Sequence, residues 1–292
     1  MQAIDVVAPT RPRTAARWSS AAVHSWYTTG RSVRNLFRQP AYIVAMLSQP
    51  LVWLIFVDAV FHQVVRLNGF PMNQYVTYLA PGVIAMSALF SGGINGTGML
   101  RDITHGVLDK LLTLPVSRAA LFSGRLGLQA VIAVMQTTII IVTATILGAR
   151  FSNGVLGIAI LYLLSVLLGG ALAMLSNAAA LVLRNEQSLG AIMNFALFPA
   201  TFLSTAFMPA TVVFGWIGAA ARYNPLNWTA TAARAAVSST PDWMSVVTYG
   251  SYLIVFMILC ATFSWYAMSS YRKNILPGTG CGREKEKRKG GR

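Results

Sequence analysis

Few ionisable side chains lie where they could do chemistry in the apolar part of the chain. Asp58, near the end of the first apolar run, is the one intramembrane candidate, and Glu186 lies beside Arg184 at the edge of another run. An ionisable group inside a membrane is costly and usually functional. Water can reach a carboxylate at the end of a span, so we interpret both acids as interfacial groups.

Sequence motifs of enzyme and nucleotide sites are missing from the chain. His24, His62 and His105 are far apart, and no HExxH, GxSxG or paired-carboxylate pattern occurs. The GxxxxGK[ST] loop that cradles nucleotide phosphates is also missing. Cys260 and Cys281 do not have the spacing of a disulfide framework or a metal site. We therefore predict no enzyme active site and no cofactor bound by this chain.

Uncharged polar residues inside the apolar runs are the remaining candidates for contact with a substrate. They are Asn95, Gln136, Thr137, Asn177 and Asn194. Hydrogen bonds between membrane helices, worth ~0.6 kcal/mol on average, explain such residues without any substrate. A substrate path along these five residues is the alternative interpretation.

An amphipathic segment lies between the second and third apolar runs. From Arg101 to Arg118 the sequence predicts a short helix that ends at Pro115, with its apolar residues at one-three-four spacing. These apolar residues are Val107, Leu108, Leu111 and Leu112. Exposed leucines of this kind require a partner surface, unless they dock on the inner face of the same protein.

These residues are positioned by long apolar segments. Of the 292 residues, 55% are hydrophobic and only 11% are charged, whereas soluble domains carry roughly 25% charged residues. A helix of ~20 apolar residues crosses a bilayer, and continuous apolar runs without alternation exclude a β-barrel. The runs are Gln39–Val57, Leu67–Leu100, Leu126–Ala149, Phe151–Leu183, Gln187–Ala221 and Trp243–Tyr271. We therefore predict an all-α polytopic membrane protein with six transmembrane helices.

The distribution of basic residues predicts the orientation. With the N-terminus in the cytoplasm, only Arg66, Arg150, Arg222 and Arg234 of the 23 Lys and Arg residues fall outside. Basic loops stay in the cytoplasm, so both termini are expected there. The net charge of +15 is explained by this bias and by attraction to anionic lipid. No basic folded domain is visible, and we predict no nucleic-acid partner.

The remaining segments complete the expected organisation. Residues 1–16 lack periodicity and are predicted to be a disordered tail, and residues 272–292 a basic cytoplasmic tail. Residues 17–38 place Trp and apolar side chains on one face and Arg on the other, which is typical of a helix in the membrane interface. Residues 39–271 are predicted to form the transmembrane domain. Within it, 209–240 are predicted to be a broken, amphipathic hairpin at the outer surface.

Small residues on two of the runs predict tight helix packing. Gly92 and Gly96 form a GxxxG pair, and small residues repeat every four positions from Ser165 to Asn177. Pro50 lies inside the first run, where a proline removes a backbone hydrogen bond and kinks the helix.

Three stretches resemble the membrane subunits of ABC-2 type exporters. The loop Gly106-Val107-Leu108-Asp109-Lys110-Leu111-Leu112, with Leu114–Arg118 and Gly124-Arg125 after it, is similar to that family's loop before the third span. Phe198–Pro209 resembles the family's fifth span, and Asn224–Trp228 with Ala233-Arg234-Ala235 resembles the segment before the last helix. Gln49–Trp53 and Pro81-Gly82-Val83 are most similar to the branch that includes daunorubicin-resistance exporters.

The resemblance implies a permease subunit in the bacterial plasma (inner) membrane that dimerises with a second permease, the same chain or a homologous one. Two copies of a separate ATP-binding subunit would bind ATP and Mg. Residues 101–114, with Gly106–Leu112 at their centre, would be the coupling helix. Residues 209–240 would be the outer re-entrant pair.

The function expected from the resemblance is ATP-driven export of hydrophobic or amphipathic molecules, either drugs or lipid-like compounds. A proton-coupled secondary transporter is the alternative, but such a protein usually carries several carboxylates or histidines in its spans. A membrane enzyme acting on lipids is a third possibility, which would require a polar catalytic constellation.

Overall fold

The computed structural model describes residues 29–30, 32–67, 72–104, 118–206 and 215–275, and these ranges are almost entirely helical and contain no strand. Residues 32–37 are helical. The longer elements are α1 (Pro40–Leu67), α2 (Met72–Ile94), α3 (Gly96–Thr104), α4 (Arg118–Ile146), α5 (Gly154–Leu183), α6 (Glu186–Phe202), α7 (Gly215–Ala221), α8 (Pro225–Val237) and α9 (Trp243–Ile275).

Five segments of the described chain are long and apolar enough to cross a membrane. They are Pro40–Val60, Tyr75–Thr104, Ser123–Ile146, Gly154–Leu183 and Trp243–Ser270. The prediction of an all-α polytopic membrane protein is therefore confirmed. The fifth apolar run differs from the other five, because its helix α6 has 17 residues and ends at Phe202. The count of six crossings stays a prediction.

Helix α6 is shorter than its apolar run because its two ends are set by local hydrogen bonds. At its beginning, the Asn185 side chain accepts hydrogen bonds from the backbone N–H groups of Gln187 and Ser188, as an N-cap residue does. At its end, the Leu203 N–H donates to the Pro199 carbonyl, and the chain leaves the helix there. Helix α6 therefore ends well before the end of its apolar run at Ala221.

Helix α5 occupies the centre of the bundle. It packs against α9, α2, α4, α8 and α3, and buried residues run along most of its length. Helix α2 is also largely buried, whereas α1 and α9 expose most of their side chains. The continuous apolarity of α5 matches this central position.

The two predicted small-residue faces pack against each other. A Cβ atom added to Gly92 would lie 2.5 Å from the Gly169 carbonyl oxygen and 2.8 Å from Leu172 Cβ, and one added to Gly96 would meet Ser176. The backbones of α2 and α5 therefore approach as closely as small residues allow, which confirms the predicted tight packing.

Replacing Gly92 with Ala is expected to destabilise the bundle by about 1–3 kcal/mol, because the new methyl group has backbone on one side and no room to move. The thermal midpoint of the detergent-purified protein measures the effect. Gly250→Ala in α9 is the matched control, since nothing lies within 4 Å of that position. Equal midpoints for the two variants would show that α2 and α5 do not pack in this way.

The terminal predictions fall mostly outside the described residues. Of the proposed interfacial helix at 17–38, the helical residues 32–37 carry the buried Leu36 and the exposed Phe37. Residues 1–16 and most of the tail at 272–292 lie outside the described ranges. Within the proposed re-entrant segment at 209–240, α7 and α8 are present, and α8 packs against α9, α5 and α2.

Candidate functional site

The proposed coupling segment, Gly106–Leu112, lies outside the described residues, but the helices on both sides of it are described. The carboxylate of Asp102, near the end of α3, forms an ion pair with Arg125 of α4. On the surface, the Arg101 guanidinium lies 3.7 Å from the Glu186 carboxylate at the start of α6. These two contacts attach the end of α3, where the loop begins, to both α4 and α6.

A chain of amide hydrogen bonds joins α2, α4 and α5 inside the bundle. The Asn95 amide nitrogen donates to Gln129 Oε1 at 3.1 Å, and the Gln129 amide nitrogen donates to Ser91 Oγ at 3.0 Å. The Asn177 amide nitrogen donates to Asn95 Oδ1 at 3.4 Å. Asn95 and Asn177, two of the five residues proposed for a substrate path, are thus bonded directly to each other, and Gln129 links Asn95 to Ser91. We call these four side chains the amide cluster.

Asn95 also marks a break between α2 and α3. At this break the Ser176 hydroxyl of α5 donates to the Gly93 carbonyl and accepts from the Gly96 N–H, at 3.0 Å for the second bond. Side chains of neighbouring helices commonly take over backbone groups that a broken membrane helix frees. The second apolar run is therefore two helical pieces, with α3 leading from the amide cluster to the proposed coupling loop.

Gln136, a third proposed path residue, compensates for a proline in α1. Pro50 has no N–H, so the carbonyl four residues earlier, on Met46, loses its helical partner. The Gln136 amide nitrogen donates to this carbonyl at 3.4 Å. The other amide atom, Gln136 Oε1, is buried and has no hydrogen-bond partner among the described residues.

A cavity of about 220 Å³ lies between α1, α2 and α4, with Gln136 and Asn95 in its wall. The other two proposed path residues lie elsewhere. The Thr137 hydroxyl is paired with Ser165 at 2.9 Å in the contact between α4 and α5. Asn194 is exposed on α6, away from the amide cluster. Two of the five residues, Asn95 and Gln136, therefore line the cavity. Asn177 does not line it but donates a hydrogen bond to Asn95.

Polar side chains of α8 hold the end of α6, and we call this contact the α6–α8 junction. Asn224 donates to the Leu203 carbonyl at 3.1 Å and also to the Ala200 carbonyl. Asn227 Oδ1 accepts from the Thr205 N–H at 3.3 Å. The last carbonyl groups of a helix have no partner within it, and Asn224 supplies a donor for them. Asn227 binds the backbone just beyond the end of α6.

Arg234 completes the junction. Its Nε donates to the Tyr78 carbonyl of α2 at 3.0 Å, its Nη2 donates to the Ala206 carbonyl at 2.7 Å, and its guanidinium lies 3.6 Å from the centre of the Tyr78 ring. Burial lowers the pKa of Arg234 to about 10, so the side chain remains protonated at neutral pH. Arg234, one of the four basic residues expected on the outer side, therefore serves to hold the junction together.

Sequence reasoning missed Gln129 as well as Arg234. Gln129 is completely buried. It is an uncharged polar residue inside an apolar run, and that is the criterion by which the five other candidates were selected. Arg234 lies in the apolar segment Ala232-Ala233-Arg234-Ala235-Ala236. A single cation in such a segment indicates a buried hydrogen-bond partner.

Chemically, the cluster and the cavity are suited to hydrogen bonding. Amides and hydroxyls donate and accept hydrogen bonds but do not titrate near neutral pH. Among the described residues, no group of three or more His, Cys, Asp or Glu side chains could hold a metal ion. The described arrangement can therefore bind and orient a polar group within an apolar surrounding.

Known proteins resemble this chain over most of its length. It is 26% identical over 265 residues, 90% of this chain and 89% of the relative, to the daunorubicin resistance ABC transporter permease protein DrrB1 of Streptomyces coeruleorubidus. It is 30% identical over 214 residues, 72% of each chain, to a protein of Porphyra purpurea named as transport permease ycf38. A Mycobacterium tuberculosis protein named as doxorubicin resistance ABC transporter permease DrrC is 24% identical over 213 residues, 70% of this chain and 74% of the relative.

A model of the ABC-2 type transporter family matches residues 24–238. This range includes the helices from α1 to α8, the amide cluster and the α6–α8 junction. The resemblance drawn from the sequence motifs, including that to the daunorubicin and doxorubicin resistance permeases, is thereby confirmed. The chain belongs to the ABC-2 type transporter family.

Proposed function

We propose that this chain is the permease subunit of an ATP-driven exporter that moves hydrophobic or amphipathic molecules out of the cytoplasm or the inner leaflet. The match to the ABC-2 family over residues 24–238 carries the proposal. A cavity lined by both apolar and polar side chains supports it, because an amphipathic molecule has both an apolar body and a group that needs hydrogen bonds.

The energy would come from a separate ABC ATP-binding subunit, present in two copies and binding ATP and Mg. Its docking surface on this chain would be the coupling helix at 101–114, above all Gly106–Leu112. The ion pairs of Asp102 with Arg125 and of Arg101 with Glu186 support this role, because they attach the loop to α4 and α6. A movement of the loop would then reach several helices together.

Helix α3 provides a direct mechanical connection to the polar cluster. It has nine residues, which corresponds to roughly 14 Å at 1.5 Å per residue, and it joins the break at Asn95 to the beginning of the loop. Pushing on α3 would change the hydrogen bonds of Asn95 with Gln129 and Asn177. We therefore propose that the amide cluster responds to the state of the ATP-binding subunit.

The substrate path is proposed to run along Asn95, Gln136 and Asn177, with Thr137 and Asn194 contributing from other surfaces. Two permease subunits, identical or homologous, would form the complete path in the bacterial inner membrane, with both termini in the cytoplasm. The lopsided distribution of Lys and Arg supports this orientation.

A proton-coupled secondary transporter is the competing proposal, and Asp58 would be its one acidic candidate. Export from cells that express the chain with its ATP-binding partner separates the two proposals. We expect vanadate, an ATPase inhibitor, to stop export, and a protonophore to leave it intact when ATP is maintained by fermentation. Export that stops with the protonophore and continues with vanadate would favour the secondary transporter.

A further inference from the structure

The cavity between α1, α2 and α4 has one wall built from a single face of α1. Tyr42, Ala45, Met46, Gln49 and Pro50 line it at positions i, i+3, i+4, i+7 and i+8. Val44, between them in sequence, is 66% exposed and does not line the cavity. The cavity is thus a gap behind one helix face.

The opposite wall combines apolar and polar groups. Met86, Phe90 and Ile132 provide apolar surface, and their side chains are buried in the protein. Thioether and aromatic groups adapt well to flat hydrophobic molecules. Ser87 and Ser91 hydroxyls in the same wall already donate to helix carbonyls, of Ile84 and Ala88.

Gln136 supplies a hydrogen-bond acceptor that is not in use. The residue is 4% exposed, its nitrogen is turned to the Met46 carbonyl, and its Oε1 lacks a partner in the described part of the chain. The terminal torsion of a glutamine is broad, and a 3.4 Å bond to Met46 leaves the amide able to turn. A turn of this amide would bring the oxygen to a donor in the cavity.

The charges of the lining residues further restrict the class of ligand. No Asp, Glu, Lys or Arg is among the described residues that line the cavity. A cation would lose its hydration there without a counter-ion, whereas a neutral molecule would lose little. The wall therefore suits a hydroxyl or amide donor and disfavours an ammonium group.

We infer that this cavity binds an uncharged amphipathic molecule through its apolar body and one hydrogen-bond donor, which Gln136 Oε1 accepts. The inference adds a class of substrate to the proposed export function. Its relevance to transport rests on that function. Binding itself does not require ATP, so it can be measured on the permease alone.

The experiment compares two fluorescent probes that differ in one donor. The full-length chain in lipid nanodiscs is titrated with 2-naphthol and with 2-methoxynaphthalene, and empty nanodiscs correct for partition into lipid. We expect saturable binding of 2-naphthol that is about tenfold tighter than that of the methoxy compound, which corresponds to about 1.4 kcal/mol.

Two substitutions locate the binding. Ala45→Trp is expected to weaken 2-naphthol binding at least tenfold by filling the cavity, while its matched control, Val44→Trp on the neighbouring exposed position, binds as the unmodified chain does. Gln136→Leu is expected to remove the difference between the probes. If Gln136→Leu does not fold, the comparison of the two Trp variants still shows whether 2-naphthol binds in the cavity.

Equal binding of the two probes, or unchanged binding in Ala45→Trp, would overturn the inference. Co-purification of an ATP-binding subunit, measured after it is co-expressed with the same variants, tests the export function separately. A chain that retains this partner but shows no donor-dependent binding would contradict the ligand assignment alone.

Discussion

Replacing both Leu108 and Leu111 with Asp is expected to abolish the ATPase stimulation and the export that depend on this chain, while membrane insertion stays intact. Burying a leucine contributes about 1.5–3 kcal/mol, so losing two from a docking surface weakens association by roughly 100-fold or more. The added carboxylates increase the loss, because they would have to be desolvated without partners.

The measurement is ATPase activity and export in vesicles that contain both subunits, with membrane insertion followed by fractionation. Ser188→Asp is the matched control, since Ser188 is exposed in the first turn of α6, where an acidic side chain is favourable. Normal export by the double Asp variant would contradict the assignment of residues 101–114 as the coupling helix.

Replacing Arg234 with Ala is expected to produce the largest loss of stability among single substitutions in α8. The variant would lose the hydrogen bonds to the Tyr78 and Ala206 carbonyls and the contact with the Tyr78 ring. Two hydrogen bonds from a charged donor are worth about 3 kcal/mol together at the lower end of their range. The thermal midpoint should fall on the order of 10 °C.

Arg234→Lys separates charge from geometry. An ammonium group keeps the positive charge but cannot place two donors in a fixed fork, so we expect an intermediate midpoint. Arg222→Ala is the control, because the exposed Arg222 contributes its backbone carbonyl, and not its side chain, to the bond with Trp228. If Arg234→Ala and Arg222→Ala have the same thermal midpoint, the Arg234 guanidinium does not hold the α6–α8 junction.

Periodicity and composition were enough to predict the helical class, five of the spans and the two small-residue faces, but not that these two faces contact each other. Gly92 and Gly169 belong to patterns that repeat along one helix, so each face is visible in its own segment. The branch of the family was also readable from short motifs, because these motifs are contiguous in sequence.

The partners of the polar residues could not be predicted, because they are set by the packing of distant segments. Gln129 meets Asn95 across 34 positions, and Arg234 meets Tyr78 across 156. The break at Asn95 was hidden for the same reason, since the Ser176 hydroxyl that makes it tolerable comes from α5. In a membrane bundle, a polar residue in an apolar run therefore predicts a hydrogen bond but not its partner.

The most direct test of the central claim is to purify this chain through a tag after co-expression with the candidate ATP-binding subunit. We predict that the ATP-binding subunit co-purifies in equal amount and hydrolyses ATP. A chain that purifies alone, with no ATPase activity from any candidate partner, would contradict ATP-driven export and favour a proton-coupled mechanism.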